Sequence, residues 1–204
     1  MSGFVLALLI SAASPETQRI EDPVRGFSFQ LPQAFVVLPG FEAPPPTART
    51  GTLGTWVSGL GQEDFVIVSL EGMGGPLARE PVDLTDQGRT GATALHEKWN
   101  GFVVDGLRVV KQREDQHVLI LAVQVPLFPN AVQVMSSGLV ENEPAVRSAL
   151  LGVLGSLQGK SSWLTDEERL AAGLEGALRL AVTFLLVAAG AFAVWRWARS
   201  RREE

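Results

Sequence analysis

The chain has 204 residues, a formal net charge of −5 and no cysteine, and these properties exclude several classes of protein. Without cysteine it can form neither a disulfide nor a lipid-modified N-terminal cysteine. The small negative charge gives the chain no basic face, so we expect no nucleic-acid partner. Residues 24–159, which lie between two apolar ends, are enough for one domain with a complete hydrophobic core.

The first apolar segment, residues 4–13, has the length of the hydrophobic part of a signal peptide. Small residues at 11–13 stand where a signal peptidase would cleave, although no lysine or arginine precedes the segment. We therefore expect residues 1–13 to be a signal peptide. An uncleaved N-terminal anchor and a buried first strand of a cytoplasmic domain are the two alternatives.

The second apolar segment lies near the C-terminus, where residues 180–195 contain no charged side chain. A helix needs about 20 apolar residues to cross a bilayer core of about 30 Å, and flanking arginines can extend a shorter span by reaching toward the headgroups. We therefore expect residues 165–198 to form a juxtamembrane and transmembrane helix. The predicted membrane-anchoring residues are Leu180, Phe184, Leu186, Phe192, Trp195 and Trp197.

Arginines at the end of this segment predict the orientation of the chain. Under the positive-inside rule residues 199–204 are a cytoplasmic tail, and the arginines would also contact anionic lipids. The predicted layout is a single-pass protein of a bacterial inner membrane with its N-terminal domain outside the cytoplasm. A buried hairpin helix of a soluble domain is the alternative. The arginines are Arg196, Arg199, Arg201 and Arg202.

The juxtamembrane helix is expected to begin at the sequence "TDEE". Thr165 and Glu168 have the spacing of a capping box, in which each residue satisfies a free backbone N–H of the other. The helix would then run without a break into the membrane span.

Most of the domain between the apolar ends has the pattern of β-strands. In "GFSFQLP" the apolar Phe27, Phe29 and Leu31 alternate with polar residues, as in a half-buried strand. Two stretches interrupt the pattern: the proline-rich loop 41–51 and the long connection 74–91, which we expect to hold a short helical turn. Further strands are predicted within 51–60, 64–73, 92–104, 106–114, 117–126 and 131–139, with turns near 105–106, 114–115 and 126–130 and with 118–123 buried on both faces.

The last part of the domain changes to a helical period. In "EPAVRSALLGVLGSLQG" the apolar residues recur with helical spacing, which places them on one helix face. Pro144 is suited to the first turn and Gly159 to the end. The predicted fold class is therefore α+β, an antiparallel sheet packed by an amphipathic helix and followed by a transmembrane helix. The apolar stripe is Val146, Leu150, Val153, Leu154 and Leu157.

The order of these elements resembles a known family. A first strand "GFSFQLPQ", an antiparallel meander, a strand "AVQVMSSG" and a closing helix ending "LGVLGSLQG" are similar to the Mog1/PsbP-like α/β/α sandwich domains, which include many bacterial envelope proteins. The resemblance covers about residues 24–159 and implies an interaction, binding or assembly module. It carries no functional residue onto this chain, because no family motif can be aligned. A generic antiparallel α+β domain is the alternative.

Sequence patterns for catalysis and metal binding are incomplete. The stretch "GSLQGKSS" is one residue short of a phosphate loop and follows a helix instead of a strand. His96 lacks the second histidine of a zinc-binding helix, and His117 has no identifiable partner ligands. There is no GxSxG elbow and no cysteine nucleophile. We therefore expect no catalytic, cofactor-binding or metal-binding residue, and no enzyme activity.

Large aromatic side chains are the candidate interface residues, because tryptophan is enriched at the energetic centres of protein interfaces. For Trp56 and Trp99 the alternative is a position in the core, on neighbouring strands. Trp163 lies between the domain and the juxtamembrane helix and is expected to pack the domain against that helix or to contact the membrane surface, rather than to bind a ligand. The candidates are Trp56, Trp99, Phe102 and Trp163.

Two functions from different classes remain open on the sequence alone. The first is a membrane-anchored module that binds another envelope or membrane protein, with the lipid bilayer as its second contact. The alternative is a ligand-binding sensory or carrier domain with a cavity between sheet and helix. An apolar cavity would favour the second function, whereas an exposed apolar patch without a cavity would favour the first.

Overall fold

The structure is a computed structural model, which describes most of the chain between residues 16 and 165. The chain divides into two compact units, Met1–Ser162 and Trp163–Glu204. The described residues are 16–45, 47–79, 91–113, 115–165, Glu167, Glu168, Leu170, Leu174 and Thr183.

A seven-stranded antiparallel sheet forms the centre of the first unit. The last four of its strands in the chain are also neighbours in space, which confirms the predicted meander. In spatial order the strands are β3 (Val36–Val37), β4 (Thr50–Ser58), β5 (Val66–Met73), β9 (Val132–Leu139), β8 (Gln116–Val125), β7 (Phe102–Arg113) and β6 (Ala92–Trp99).

One face of this sheet, here called the inner face, carries the hydrophobic core. The register pairs Ser136 of β9 with Val68 of β5 on one side and with Leu121 of β8 on the other. Because side chains alternate between the two faces of a strand, every second residue from these positions lies on the inner face. The buried apolar residues of this set are Val66, Val68, Leu70, Leu119, Leu121, Val123, Val125, Val132 and Val134.

The helix α1 (Glu143–Ser156) packs on the inner face and follows a short 3₁₀ helix, Val140–Asn142. The predicted apolar stripe is buried, and Pro144 lies in the first turn as expected. The predicted end was wrong: the chain turns to extended backbone at Leu157, with ψ of 111°, and Gly159 belongs to a strand. The helix ends at Ser156 because the next residue, Leu157, adopts an extended backbone. In that conformation the Leu157 side chain is still buried in the core.

A second sheet of three strands, β1 (Thr17–Asp22), β2 (Phe27–Pro32) and β10 (Gln158–Gly159), lies beside α1. The prediction for β2 is confirmed, with Phe27, Phe29 and Leu31 all buried. β1 was not predicted. Its sequence "TQRIED" holds a single apolar residue, because it is an edge strand that pairs with β2 alone and buries no side chain fully.

The turn between β6 and β7 differs from the prediction. The chain reverses at Asn100 and Gly101, whose φ angles are 46° and 81°, so that Trp99 pairs with Phe102. Asn-Gly is the preferred pair for a two-residue hairpin of this kind, and it could have been found in the sequence. Asp105 and Gly106 lie inside β7 instead, where the glycine allows close approach of the Ala122 carbonyl.

The opposite face of the sheet, here called the outer face, is less buried than predicted. Along β8, inner-face Leu119 and Leu121 are buried, while Val118, Ile120 and Ala122 are only half-buried. Residues 118–123 are therefore buried on one face and half-buried on the other. A small cluster of Leu107 and Val109, with Ala92 and Ile120 against it, lies on the outer face.

The second unit begins with the predicted capping box. The backbone N–H of Thr165 donates to Glu168 Oε2 at 2.7 Å, and the backbone N–H of Glu168 donates to Thr165 Oγ1 at 3.2 Å. The hydrogen bond from the Thr165 backbone N–H lowers the pKa of the Glu168 carboxyl. The capping box is thus confirmed as the start of a helical segment that includes Glu167 and Glu168.

Candidate functional site

Three of the four candidate interface aromatics are buried in the core. Trp56, Trp99 and Phe102 are only 9%, 2% and 7% exposed. Trp56 makes an edge-on contact with Phe29, and Trp99 Nε1 donates to the carbonyl oxygen of Leu157 at 3.0 Å. In this structure these side chains are not available to a partner. They occupy core positions, but on strands near opposite ends of the sheet rather than on neighbouring strands.

The remaining site predictions belong to the second unit or to the chain ends. Trp163 is half-buried within the second unit. Among the described residues, no helix is both long and apolar enough to span a membrane. The signal peptide at 1–13, the short helical turn expected within 74–91 and the tail 199–204 lie wholly or largely outside the described residues. So do the predicted anchoring residues Leu180, Phe184, Leu186, Phe192, Trp195 and Trp197 and the arginines Arg196, Arg199, Arg201 and Arg202.

The two histidines lie at separate positions on the sheet. His96 is exposed on β6, and its Nδ1 lies 2.7 Å from Asp105 Oδ1. His117 is exposed at the start of β8. Over the described parts of the chain, no three His, Asp or Glu side chains are grouped so that they could hold a metal ion.

A groove of about 510 Å³ lies beside α1. One wall is a flank of the helix, and the other is β2 with the residues that follow it. Val66 and Ser58 contribute from the large sheet. The groove is lined by Thr17, Gln30, Leu31, Pro32, Ala34, Phe35, Ser58, Asp64, Val66, Ala145, Ser148, Ala149, Gly152, Val153 and Ser156.

The groove exists because one flank of α1 carries small side chains. Positions i, i+3, i+4, i+7 and i+11 fall on one side of a helix, and here all five are alanine, serine or glycine. An added Cβ at Gly152 would meet nothing within 4 Å. The helix therefore does not fill the space between itself and β2. These five residues are Ala145, Ser148, Ala149, Gly152 and Ser156.

Hydrogen bonds hold the far wall of the groove and close one end. The amide nitrogen of Gln18 donates to the carbonyl oxygens of Pro32 and Phe35, which ties the wall to β1. At the end of α1, Ser156 Oγ accepts from the backbone N–H of Gln30 at 3.0 Å and donates to the carbonyl of Gly152 at 2.7 Å. The groove is therefore bounded by fixed elements.

At the start of α1 the groove meets a second depression of about 400 Å³, here called the acidic end. Asp64 lines both. Three chain turns converge there, and Asn142 Nδ2 donates to the Glu63 carbonyl oxygen at 3.0 Å. Of the described residues, four carboxylates and no lysine or arginine line the acidic end. Its residues are Glu63, Asp64, Asp115, Gln116, His117, Leu139, Glu141 and Asn142.

Ion pairs position the first turns of α1 on the sheet. Arg108 of β7 donates to both carboxylate oxygens of Glu143, at 2.9 and 2.7 Å. The hydrogen bonds from this guanidinium lower the pKa of the Glu143 carboxyl. Arg147 of α1 pairs with Glu97 of β6 at 2.7 Å. These contacts fix the helix that forms one wall of the groove.

The proline-rich loop is fastened to the turn between β1 and β2. Arg25 donates to the carbonyl oxygens of Ala48 and Pro45 at 3.0–3.2 Å, and it also pairs with Asp22. The chain between the groove wall and this loop carries the exposed apolar residues Val36 and Val37, at 54% and 58% exposure. Apolar surface thus continues from the groove onto the edge of the large sheet.

The groove was only partly anticipated. A cavity between sheet and helix was one of the two alternatives, but no residue was predicted to line it, and Leu31 and Val153 were named only as core positions of β2 and α1. The only available signal was the run of small residues between the buried positions of α1. That signal becomes a groove only when β2, distant in the chain, stands opposite the helix.

Comparison with known proteins returns matches by structure alone. No family model and no curated protein matches this sequence.

Three solved structures are similar in fold. Cyanobacterial PsbP (CyanoP) from Synechocystis sp. PCC 6803 has 15% identity and a TM-score of 0.41, covering 74% of this chain and 96% of its own. The Ran-binding protein Mog1p of Saccharomyces cerevisiae has 16% identity and a TM-score of 0.45, with coverages of 71% and 96%. LpqN of Mycobacterium tuberculosis, involved in cell envelope biogenesis, has 14% identity and a TM-score of 0.41, with coverages of 70% and 90%. These proteins share the Mog1/PsbP-like fold, the family that the sequence resembles.

Proposed function

We propose that this chain is a membrane-anchored, extracytoplasmic interaction module that binds another envelope or membrane protein and catalyses no reaction. The observation that carries the proposal is the exposed apolar surface of Val36 and Val37, which directly follow Phe35 in the wall of the groove of about 510 Å³ beside α1. Apolar surface that a domain leaves open is a common mark of a binding site for another protein. A segment of the partner would lie along the small residues of the helix.

The exposed apolar residues next to the groove support a protein partner. Val36 and Val37 are more than half exposed and directly follow Phe35 of the groove wall. They extend the apolar surface beyond the groove itself, which a partner larger than a small molecule would cover. Regular elements that are hydrogen-bonded to each other form the groove walls, so the surface is preformed.

The direct test of this proposal is capture of the partner from the host membrane. We expect the full-length, C-terminally tagged protein, purified in mild detergent, to bring down one stoichiometric membrane or envelope protein. Gly152→Leu would place a large side chain in the groove, and we expect it to abolish capture. Open space surrounds this position, so the variant should still fold.

Gly155→Leu is the matched control for that variant. Gly155 lies on the same helix, has nothing within 4 Å of an added Cβ, and does not line the groove. It should capture the partner as the unchanged protein does. A wild-type protein that purifies alone would argue against the interaction module, and equal capture by both variants would argue against the groove.

The membrane anchor is a separate part of the proposal and rests on the sequence of the C-terminal segment. We expect the full chain to remain in the membrane fraction at alkaline pH, and a chain ending at Ser162 to be released. Intact mass measurement should place the mature N-terminus near Ser14. Release of the full chain, or an unprocessed N-terminus, would contradict the proposed single-pass topology with a cleaved signal peptide.

A ligand-binding domain is the second candidate, because the groove volume lies in the range of small-molecule sites, roughly 300–1,000 Å³. If this is the function, native mass spectrometry of the purified protein should show a bound molecule of constant mass that is lost in Gly152→Leu. A molecule bound equally well by both variants would not occupy the groove.

A further inference from the structure

The groove and the acidic end form one continuous surface with two different chemistries. Asp64 lines both, and among the described residues that line the groove it alone is charged. Beyond it, the lining changes from mostly small and apolar side chains to carboxylates. An occupant that extends along α1 toward its first turn therefore passes from an apolar environment into a negative one.

The described part of the chain places no cationic side chain in an ion pair with the carboxylates of the acidic end. Among the described residues, no ion pair involves Glu63, Asp64, Asp115 or Glu141. By contrast, Glu143, only two residues after Glu141, is held by Arg108. Four uncompensated negative charges around one depression attract a positively charged group and repel a negative one.

The length of the groove limits what can occupy it. Its helical wall runs from Ala145 to Ser156, which corresponds to about 16 Å at 1.5 Å per residue. An extended segment of about five residues covers this distance. The residues that follow in such a segment would then lie over the acidic end.

We propose that the occupant is a segment of the partner protein in which a short apolar stretch is joined to lysine or arginine residues. The apolar stretch lies in the groove, and the basic side chains lie against Asp64 and the other carboxylates of the acidic end. This inference rests on the proposed function, since it names the chemistry of the partner segment for the same groove.

The test uses a library of random twelve-residue peptides displayed on phage, selected on the full-length protein in detergent after depletion on empty micelles. We expect the enriched peptides to combine apolar residues at one end with lysine or arginine at the other. Asp64→Asn combined with Glu141→Gln should weaken their binding about tenfold and reduce its dependence on salt. Gly152→Leu should abolish it.

The control variant combines Glu42→Gln with Glu71→Gln, which removes the same number of charges away from the groove. Neither residue lines the groove or the acidic end, and Glu71 lies on the outer face, beside Gln133. This variant should bind the enriched peptides as tightly as the unchanged protein. Enriched peptides without basic residues, or equal binding by the Asp64–Glu141 variant, would overturn the inference.

The failure of this inference can be told apart from failure of the proposed function. If Gly152→Leu releases the native partner while the Asp64–Glu141 variant retains it, the groove binds a partner but the acidic end does not select it. If neither variant releases the native partner, the chain binds a partner but neither the groove nor the acidic end holds it, and this inference is wrong. A wild-type protein that purifies alone would instead refute the proposed function.

Discussion

The two sides of helix α1 are built from different residues and have different tasks. The side toward the sheet carries Val146, Leu150, Val153 and Leu154, which are at most 3% exposed. The flank toward β2 carries alanine, serine and glycine beside a groove of about 510 Å³. The first side holds the domain together, because burial of branched apolar side chains is its main stabilising contribution. The second side leaves the groove open. Larger apolar side chains there would fill the groove and bury more surface.

The largest effect on stability should come from truncating a buried side chain on the side of α1 that faces the sheet. Leu150 is fully buried, and Leu150→Ala would leave a cavity, so we expect a loss of about 3–4 kcal/mol in the free energy of unfolding. Urea denaturation measures it. Leu151→Ala, at a neighbouring position that is 40% exposed, is the control and should cost less than about 1 kcal/mol. Equal losses would mean that burial against the sheet does not distinguish Leu150 from an exposed position of the same helix.

Two glycines should sharpen the comparison, because their substitutions are expected to have opposite signs. In Gly106→Ala the new methyl group would collide with the Ala122 carbonyl oxygen, and we expect a loss of about 2 kcal/mol. In Gly152→Ala the methyl group enters open space in the groove, and the higher helix propensity of alanine should add about 0.5–1 kcal/mol. Thermal unfolding measures both. A destabilised Gly152→Ala variant would show that the groove has less room than the structure indicates.

The pair Arg108–Glu143 should make the seating of α1 depend on pH. Arg108 lowers the pKa of Glu143 in the folded state. The stabilisation from this ion pair is therefore fully present above the pKa that the Glu143 carboxyl has in the unfolded chain. It is lost as the pH falls through the lower pKa of the same carboxyl in the folded protein. Both side chains are about one third exposed, so Arg108→Gln should cost about 1 kcal/mol or less at pH 7. In urea denaturation this difference should shrink as the pH is lowered from 7 through the acidic range, and a difference independent of pH would contradict this assignment.

The smallest expected effects concern two serines, one buried in the core and one at the closed end of the groove. Ser136 Oγ is fully buried on the inner face, and no described residue is hydrogen-bonded to it, so Ser136→Ala should stabilise the fold by about 0.5 kcal/mol. Ser156 Oγ, at the closed end of the groove, bonds to Gln30 and Gly152, so Ser156→Ala should destabilise it by about 1 kcal/mol. Chemical denaturation of the two variants in parallel is the measurement. A loss in Ser136→Ala would indicate a hydrogen-bond partner for that hydroxyl.

Local patterns were sufficient for the elements whose burial follows their own sequence. The alternation in β2, the stripe of α1 and the capping box at Thr165 were all predicted from spacing, because each depends on residues close together in the chain. β1 was missed because an exposed edge strand needs no apolar alternation. Its existence depends on β2, which supplies the hydrogen-bonding partner.

The position of the core could be predicted less well than the elements. Trp56 and Trp99 had two alternative roles, since an aromatic residue in a strand is equally compatible with a core and an interface. Their burial follows from the contacts with Phe29 and with the Leu157 carbonyl, which are distant in sequence. The groove and its acidic end arise in the same way, from β2, α1 and three separate turns.

The sequence by itself determined that this is an α+β domain with a closing amphipathic helix, because strand and helix periods are local properties of the chain. It also contains the apolar C-terminal segment on which the proposed anchor rests. Only the tertiary structure decided which surface is open. Small residues on α1 have no meaning until β2 stands opposite them, and carboxylates from three turns form one negative surface only when the ends of the strands converge.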